Sequence, residues 1–121
     1  MNSKIIIILF VTILIFMIKL PLKLHHYDKE LHTSAWLLVI LVCSSLQKSK
    51  TLLNLILLAI VLWFTGVTVE CLQQYSNTLF HKSLHGKFDI QDIKANTIGL
   101  IIGTFISFIF RINVFVLPYY K

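Results

Sequence analysis

Polar residues gather in short clusters along this chain, and between the clusters apolar residues run on without the alternation of a half-buried strand. A bilayer core of ~30 Å takes about 20 helical residues. Four stretches approach that length, at residues 5–22, 31–46, 52–69 and 95–111. The first carries no charge from Ile5 to Ile18 and reaches Leu22 if Lys19 extends its ammonium to the interface, with Pro21 marking its end. Asp28-Lys29-Glu30 and Gln47-Lys48-Ser49-Lys50 bound the second; Glu70 closes the third; the fourth runs to Arg111, and its tail ends in the interfacial anchor Pro118-Tyr119-Tyr120-Lys121. The pattern predicts a single all-α membrane domain, a four-transmembrane-helix bundle. Lys4 ahead of an apolar run invites comparison with a secretory signal, but Lys19-Leu20-Pro21-Leu22-Lys23 is a poor peptidase site, so a retained helix is expected.

Composition narrows the class further. Of 121 residues 57% are hydrophobic and 13% charged, against ~45–50% and ~25% in soluble domains. A chain this short cannot enclose so much hydrocarbon in a core of its own, so the excess faces lipid. The formal charge of +6 comes from Lys and Arg residues that lie mostly at the ends of apolar runs. Topology signals and lipid headgroups account for them without nucleic acid. Cys43 and Cys71 fall at opposite ends of their spans, too far apart for a disulfide.

Four spans divide the charged residues between two membrane faces. Lys4, Lys48, Lys50, Arg111 and Lys121 stand on one side, and Lys19, Lys23, Lys29, Lys82, Lys87 and Lys94 on the other. The basic residues alone therefore do not orient the chain. Every acid (Asp28, Glu30, Glu70, Asp89, Asp92) and every histidine (His25, His26, His32, His81, His85) belongs to the second side. The tight Lys48/Lys50 turn reads as cytoplasmic, which puts both termini in the cytoplasm and the acidic face outside.

Spacing then aligns the polar groups. Asp28 and His32 share a helix face and come within hydrogen-bonding reach; Glu70 and Gln73 are three apart, with Gly66 one turn deeper. Asp89, Asp92, Asn96, Gly99 and Gly103 make one stripe, acid and amide in its outer half and a small-xxx-small packing seam in its inner half. Carboxylates and amides at a membrane boundary are costly to desolvate and turn to one another or to water. The expected site is a polar pocket at the outer surface, formed by Asp28, Lys29, His32, Glu70, Gln73, Lys87, Asp89, Asp92 and Asn96 above a seam packed on Gly66, Gly99 and Gly103.

These residues resemble the VanZ-like membrane proteins. That family's pattern is Asp-Lys with a His three residues on, then Glu with Gln three on, then an Asp, Asp, Asn, Gly, Gly array leading into the last span. Here they are Asp28-Lys29 with His32, Glu70 with Gln73, and Asp89, Asp92, Asn96, Gly99 and Gly103, over about residues 20–105. Two departures stand out. His85-Gly86-Lys87 replaces the Arg usual before the first Asp of the array, and Tyr75 to Leu84 reads as an extra outer loop or short interfacial helix. Lys supplies charge but no planar bidentate clamp. The resemblance implies a small bacterial cell-envelope protein of a family whose namesake is associated with teicoplanin resistance.

Two functional classes remain open. In one, the pocket binds an amphiphile, a membrane lipid or lipid-linked cell-wall intermediate, without catalysis. In the other, a small membrane enzyme acts on a lipid headgroup with His32 as general base, Asp28 orienting it, and Glu70 or Asp89 holding a cation or proton. Asp28 is equally placed to cap its helix, and a salt bridge to Lys29 or Lys87 would satisfy Glu70. No serine or cysteine stands beside a base in the pattern, which favours binding. Asp89, Asp92 and Asn96 offer oxygen ligands for Mg²⁺ or Ca²⁺, but their spacing matches no metal loop, and no metal or other cofactor is expected.

Overall fold

The computed structural model describes residues 2–18, 26–81 and 88–116. Among them the chain forms four helices and no strand: α1 (Ser3–Phe16), α2 (Asp28–Leu46), α3 (Leu52–Leu79) and α4 (Ile90–Val116). Side chains start three of them. Asn2 Oδ1 accepts from the Lys4 amide at 3.2 Å, Thr51 Oγ1 from the Asn54 amide at 3.3 Å, and Asp89 Oδ1 from the Gln91 amide at 2.8 Å. At the C-terminus of α2, Lys50 Nζ donates to the Ser44 and Ser45 carbonyls at 3.0 and 2.8 Å, placing a cation where the helix dipole is negative.

The helices run alternately up and down. Asn2 Nδ2 donates to the Leu46 carbonyl at 3.2 Å, joining the start of α1 to the end of α2. At the opposite end Gln73 Nε2 donates to the Phe16 carbonyl at 2.7 Å, joining α3 to the end of α1. The core between them is built on Trp36, Ile40 and Cys43 of α2, Leu58 and Leu62 of α3, and Leu100 of α4, with Ile5 and Leu9 of α1 against it. The outside is apolar too, as Phe10, Leu53, Phe64, Ile101, Phe105 and Phe110 are all exposed. Helices α2, α3 and α4 are long and apolar enough to cross a bilayer, and only 28%, 28% and 33% of their spanning windows is buried within the bundle. The rest must meet hydrocarbon, so the protein belongs in a membrane.

The seam between α2 and α4 is the tightest. A Cβ built on Gly99 would collide with the Thr33 carbonyl oxygen and lie 3.1 Å from the Leu37 amide nitrogen; one on Gly103 would meet Ile40 Cγ2 and lie 3.1 Å from the Leu37 carbonyl. The small-xxx-small pair is thus used as its spacing predicts, letting two backbones touch. Thr33 Oγ1 donates to the Ala95 carbonyl at 3.2 Å along the same seam.

Several boundaries differ from the sequence reading. Helix α1 has 14 residues and ends at Phe16; residues 19–22 lie outside the described part. Helix α2 begins at Asp28, and its N-cap is Tyr27 without a side-chain bond, so Asp28 is not a cap. Helix α3 continues through Gln73 and Gln74 to Leu79, so of the two forms expected for Tyr75 to Leu84, an extra loop or a short interfacial helix, residues 75–79 take the helical one, as the end of α3 and not as a separate helix. Glu70 therefore sits inside a helix and does not close one. Polar residues do not interrupt the backbone ladder, and the Phe80 amide still donates to the Ser76 carbonyl at 3.0 Å.

Candidate functional site

The first turns of α2 and α4 meet at one end of the bundle with α3 beside them. Lys29 stands in the middle of the acids. Its Nζ donates to Asp89 Oδ2 at 2.7 Å, to Asp92 Oδ1, and to Asp28 Oδ2 at 3.4 Å. Asp92 is buried while Asp89 is 41% exposed at its side chain. The hydrogen bond from Lys29, with that of the Gln91 amide, holds the Asp89 carboxyl below its usual value.

His32 lies one turn deeper, 6% exposed. Its Nδ1 is 2.8 Å from Asn96 Oδ1. An amide oxygen only accepts, so Nδ1 carries the proton, and in the neutral ring Nε2 presents a lone pair. That nitrogen faces Asp28 Oδ1 at 3.8 Å and Asp92 Oδ2 at 4.0 Å. Each of these two carboxylates thus turns one oxygen to Lys29 and the other towards the imidazole. Phe16 covers the ring, with centroids 4.8 Å apart, and stacks on Trp36 at 5.8 Å.

Glu70 is fully buried on α3. Its Oε2 accepts from the Asp89 amide at 3.3 Å, and its Oε1 has no hydrogen-bond partner among the described residues. One turn deeper, a Cβ on Gly66 would lie 3.2 Å from both Asn96 Nδ2 and Trp36 Cζ2, so the missing side chain brings α3 against α4 and α2.

Family models, curated proteins and solved structures give no match to this chain. The reading of the site therefore stays with its geometry. Asp28, Lys29, His32, Asp89, Asp92 and Asn96 converge as their spacing predicts, with Glu70 joined through the Asp89 backbone. Gln73 departs from the expectation, since its amide secures the end of α1. Lys87 lies outside the described residues, as do His25 and His85.

Three roles change. Asn96, not Asp28, makes the hydrogen bond that orients His32, because the ring turns Nδ1 to α4 and leaves Asp28 beyond bonding distance. Lys29 does not pair with Glu70; its bonds go to the three aspartates. Asp89, Asp92 and Asn96 do not make an open oxygen set, since Lys29 and the Gln91 amide take both oxygens of Asp89, His32 takes that of Asn96, and only Asp92 Oδ2 is turned elsewhere. Phe16 and Trp36 were not singled out from the sequence. A signal existed for Trp36, which follows Asp28 and His32 at a second interval of four and so shares their face. Phe16 has none, being one more residue of an apolar run.

The opposite end holds a second polar cluster. Arg111, read from the sequence as a terminal charge, is 8% exposed. Its Nη1 donates to the Thr51 carbonyl at 2.6 Å, and its Nη2 to Ser44 Oγ at 3.0 Å and Gln47 Oε1 at 2.5 Å. The guanidinium fastens the end of α4 to the α2–α3 turn through neutral acceptors.

Proposed function

We propose that this chain is a VanZ-like protein of the bacterial cytoplasmic membrane that binds the headgroup of an amphiphile at the Lys29–aspartate–His32 cluster. The observation that carries the reading is the burial of acids, an imidazole and an amide together where apolar side chains would pack at lower cost. The excess of carboxylates favours a headgroup rich in hydroxyls and amines, as on a lipid-linked cell-wall intermediate or a lipoglycopeptide; the link to teicoplanin resistance is what the family resemblance implies. A groove of ≈ 540 Å³ between α3 and α4 suits the hydrocarbon part. Leu55, Ile60, Leu100 and Phe108 line it, and it reaches Trp63 and Thr97, whose side chains are bonded at 3.0 Å one residue beyond Asn96.

Purified protein in detergent is expected to bind extracted lipid-linked cell-wall precursor or teicoplanin without turning it over, and His32→Ala is expected to weaken binding at least tenfold. No binding by the wild type removes the reading. The enzyme reading draws on one observation, the His32 Nε2 turned away from its Asn96 anchor and free to take a proton. Turnover of the precursor by the wild type, lost in both His32→Ala and Glu70→Gln with binding retained, would replace the first reading by the second.

The acidic end faces outward in this proposal, and the Lys48/Lys50 turn faces the cytoplasm. With exposed Cys71 changed to serine and buried Cys43 left in place, a Ser49→Cys variant should resist an impermeant thiol reagent in intact cells and react after lysis. Labelling in intact cells would invert the topology.

A further inference from the structure

We propose that Asp28, His32 and Asp92 form a binding site for a first-row transition dication, zinc or manganese. One ligand-type atom from each residue lies within 4.8 Å of the other two. The inference concerns the same cluster as the amphiphile reading and rests on that cluster being a working site, while its ligand geometry is independent of any lipid.

Three features support it. The first is the direction of the imidazole. Metal-bound histidines donate their remaining N–H to a carbonyl or carboxylate, which fixes the tautomer and aims the other nitrogen at the ion. Here Asn96 Oδ1 takes Nδ1 at 2.8 Å, and Nε2 is aimed between Asp28 Oδ1 at 3.8 Å and Asp92 Oδ2 at 4.0 Å. Those separations are too long for hydrogen bonds. They exceed by roughly half an ångström the ~3.3 Å between neighbouring ligands of a tetrahedral ion with bonds of about 2.0–2.1 Å.

The second is the division of labour within each carboxylate. Lys29 engages Asp28 Oδ2 and Asp92 Oδ1, leaving Asp28 Oδ1 and Asp92 Oδ2 for the ion. Lys29 thus orients the ligands from behind. The third is charge. Asp28, Asp89 and Asp92 bring three negative charges to one ammonium, so two remain when His32 is neutral, and a dication cancels them. Low-polarity surroundings make that balance valuable. A mixed nitrogen and oxygen set selects a first-row transition ion over Mg²⁺ or Ca²⁺, which take oxygen ligands.

The test uses full-length protein in detergent, stripped with chelator and free of added lipid, titrated with ZnCl₂ by calorimetry and with MnCl₂ by loss of the free-ion resonance signal. One equivalent of either ion is expected to bind the wild type and raise its unfolding temperature. His32→Ala and Asp92→Asn are expected to abolish that rise and weaken binding at least tenfold. Asp28→Asn, at a more exposed ligand, covers the case in which those variants do not fold and is expected to weaken binding likewise. Asn96→Leu, which removes only the orienting acceptor, is expected to cost about 10–100-fold. No stoichiometric binding by the wild type, or binding unchanged in folded Asp28→Asn, overturns the proposal. Because no lipid is present, metal binding with no precursor binding sinks the amphiphile reading alone, and the converse sinks this one.

Discussion

Gly99→Ala is expected to destabilise the bundle by about 3 kcal/mol, a large loss for a single methyl group and at the upper end of what overpacking costs. The new Cβ would meet the Thr33 carbonyl oxygen, which is backbone and cannot rotate away, with the Leu37 amide 3.1 Å to its side. Accommodation requires α2 and α4 to part, and parting them also stretches the Thr33–Ala95 bond and the Lys29 contacts to Asp89 and Asp92. Gly103→Ala should cost less, because its closest clash is with the Ile40 side chain and not with backbone, although that β-branched chain is stiff at χ1 and the helices must still part slightly. Gly66→Ala should cost least, with approaches of 3.2 Å to the ends of two side chains. Reversible unfolding in mixed micelles measures all three, and an order other than Gly99, Gly103, Gly66 would show that the seam is looser than described.

Arg111→Met should lose about 2–3 kcal/mol, in line with hydrogen bonds made by charged groups. The aliphatic replacement fills much of the same volume and leaves the Thr51 carbonyl, Ser44 hydroxyl and Gln47 amide without their donor. Arg111→Lys should recover only part of this, since an ammonium is a point charge and three acceptors spread over the α2–α3 turn need a planar fork. The loss is local, so trypsin should cut faster at Lys48 and Lys50 in both variants. Unchanged proteolysis with reduced global stability would place the effect elsewhere in the bundle.

Legibility in the sequence followed periodicity. The stripe from Asp89 through Asn96 to Gly103 was readable because a helix of 3.6 residues per turn returns those positions to one side, and the structure turns that side towards α2. Asp28, Lys29 and His32 were readable together for the same reason. The end of α3 was not. Gln73, Gln74, Ser76, Asn77 and Thr78 have the composition of a segment leaving the membrane, which fits an outer loop or a short separate helix as well as it fits a span whose backbone ladder simply runs on where its side chains turn polar. Arg111 was opaque for another reason. A cation at the end of an apolar run usually marks topology, and its acceptors stand 60 or more positions earlier in the chain, where only tertiary structure brings them close. The choice between Asp28 and Asn96 as the partner of His32 likewise depends on how α4 docks.

The unequal lengths of α1 and α3 bear on the surrounding lipid. At 1.5 Å per residue the 14 residues of α1 rise roughly 21 Å and the 28 of α3 roughly 42 Å, on either side of a hydrocarbon thickness of about 30 Å. The apolar part of α3, residues 52–69, rises roughly 27 Å and matches that thickness, so the polar turns that carry the helix on to Leu79 stand outside the hydrocarbon. Exposed Tyr75, Leu79 and Phe80 on those turns lie where amphipathic and aromatic side chains settle among headgroups, so the projecting end of α3 rests on the membrane surface as a shelf beside the acidic cluster.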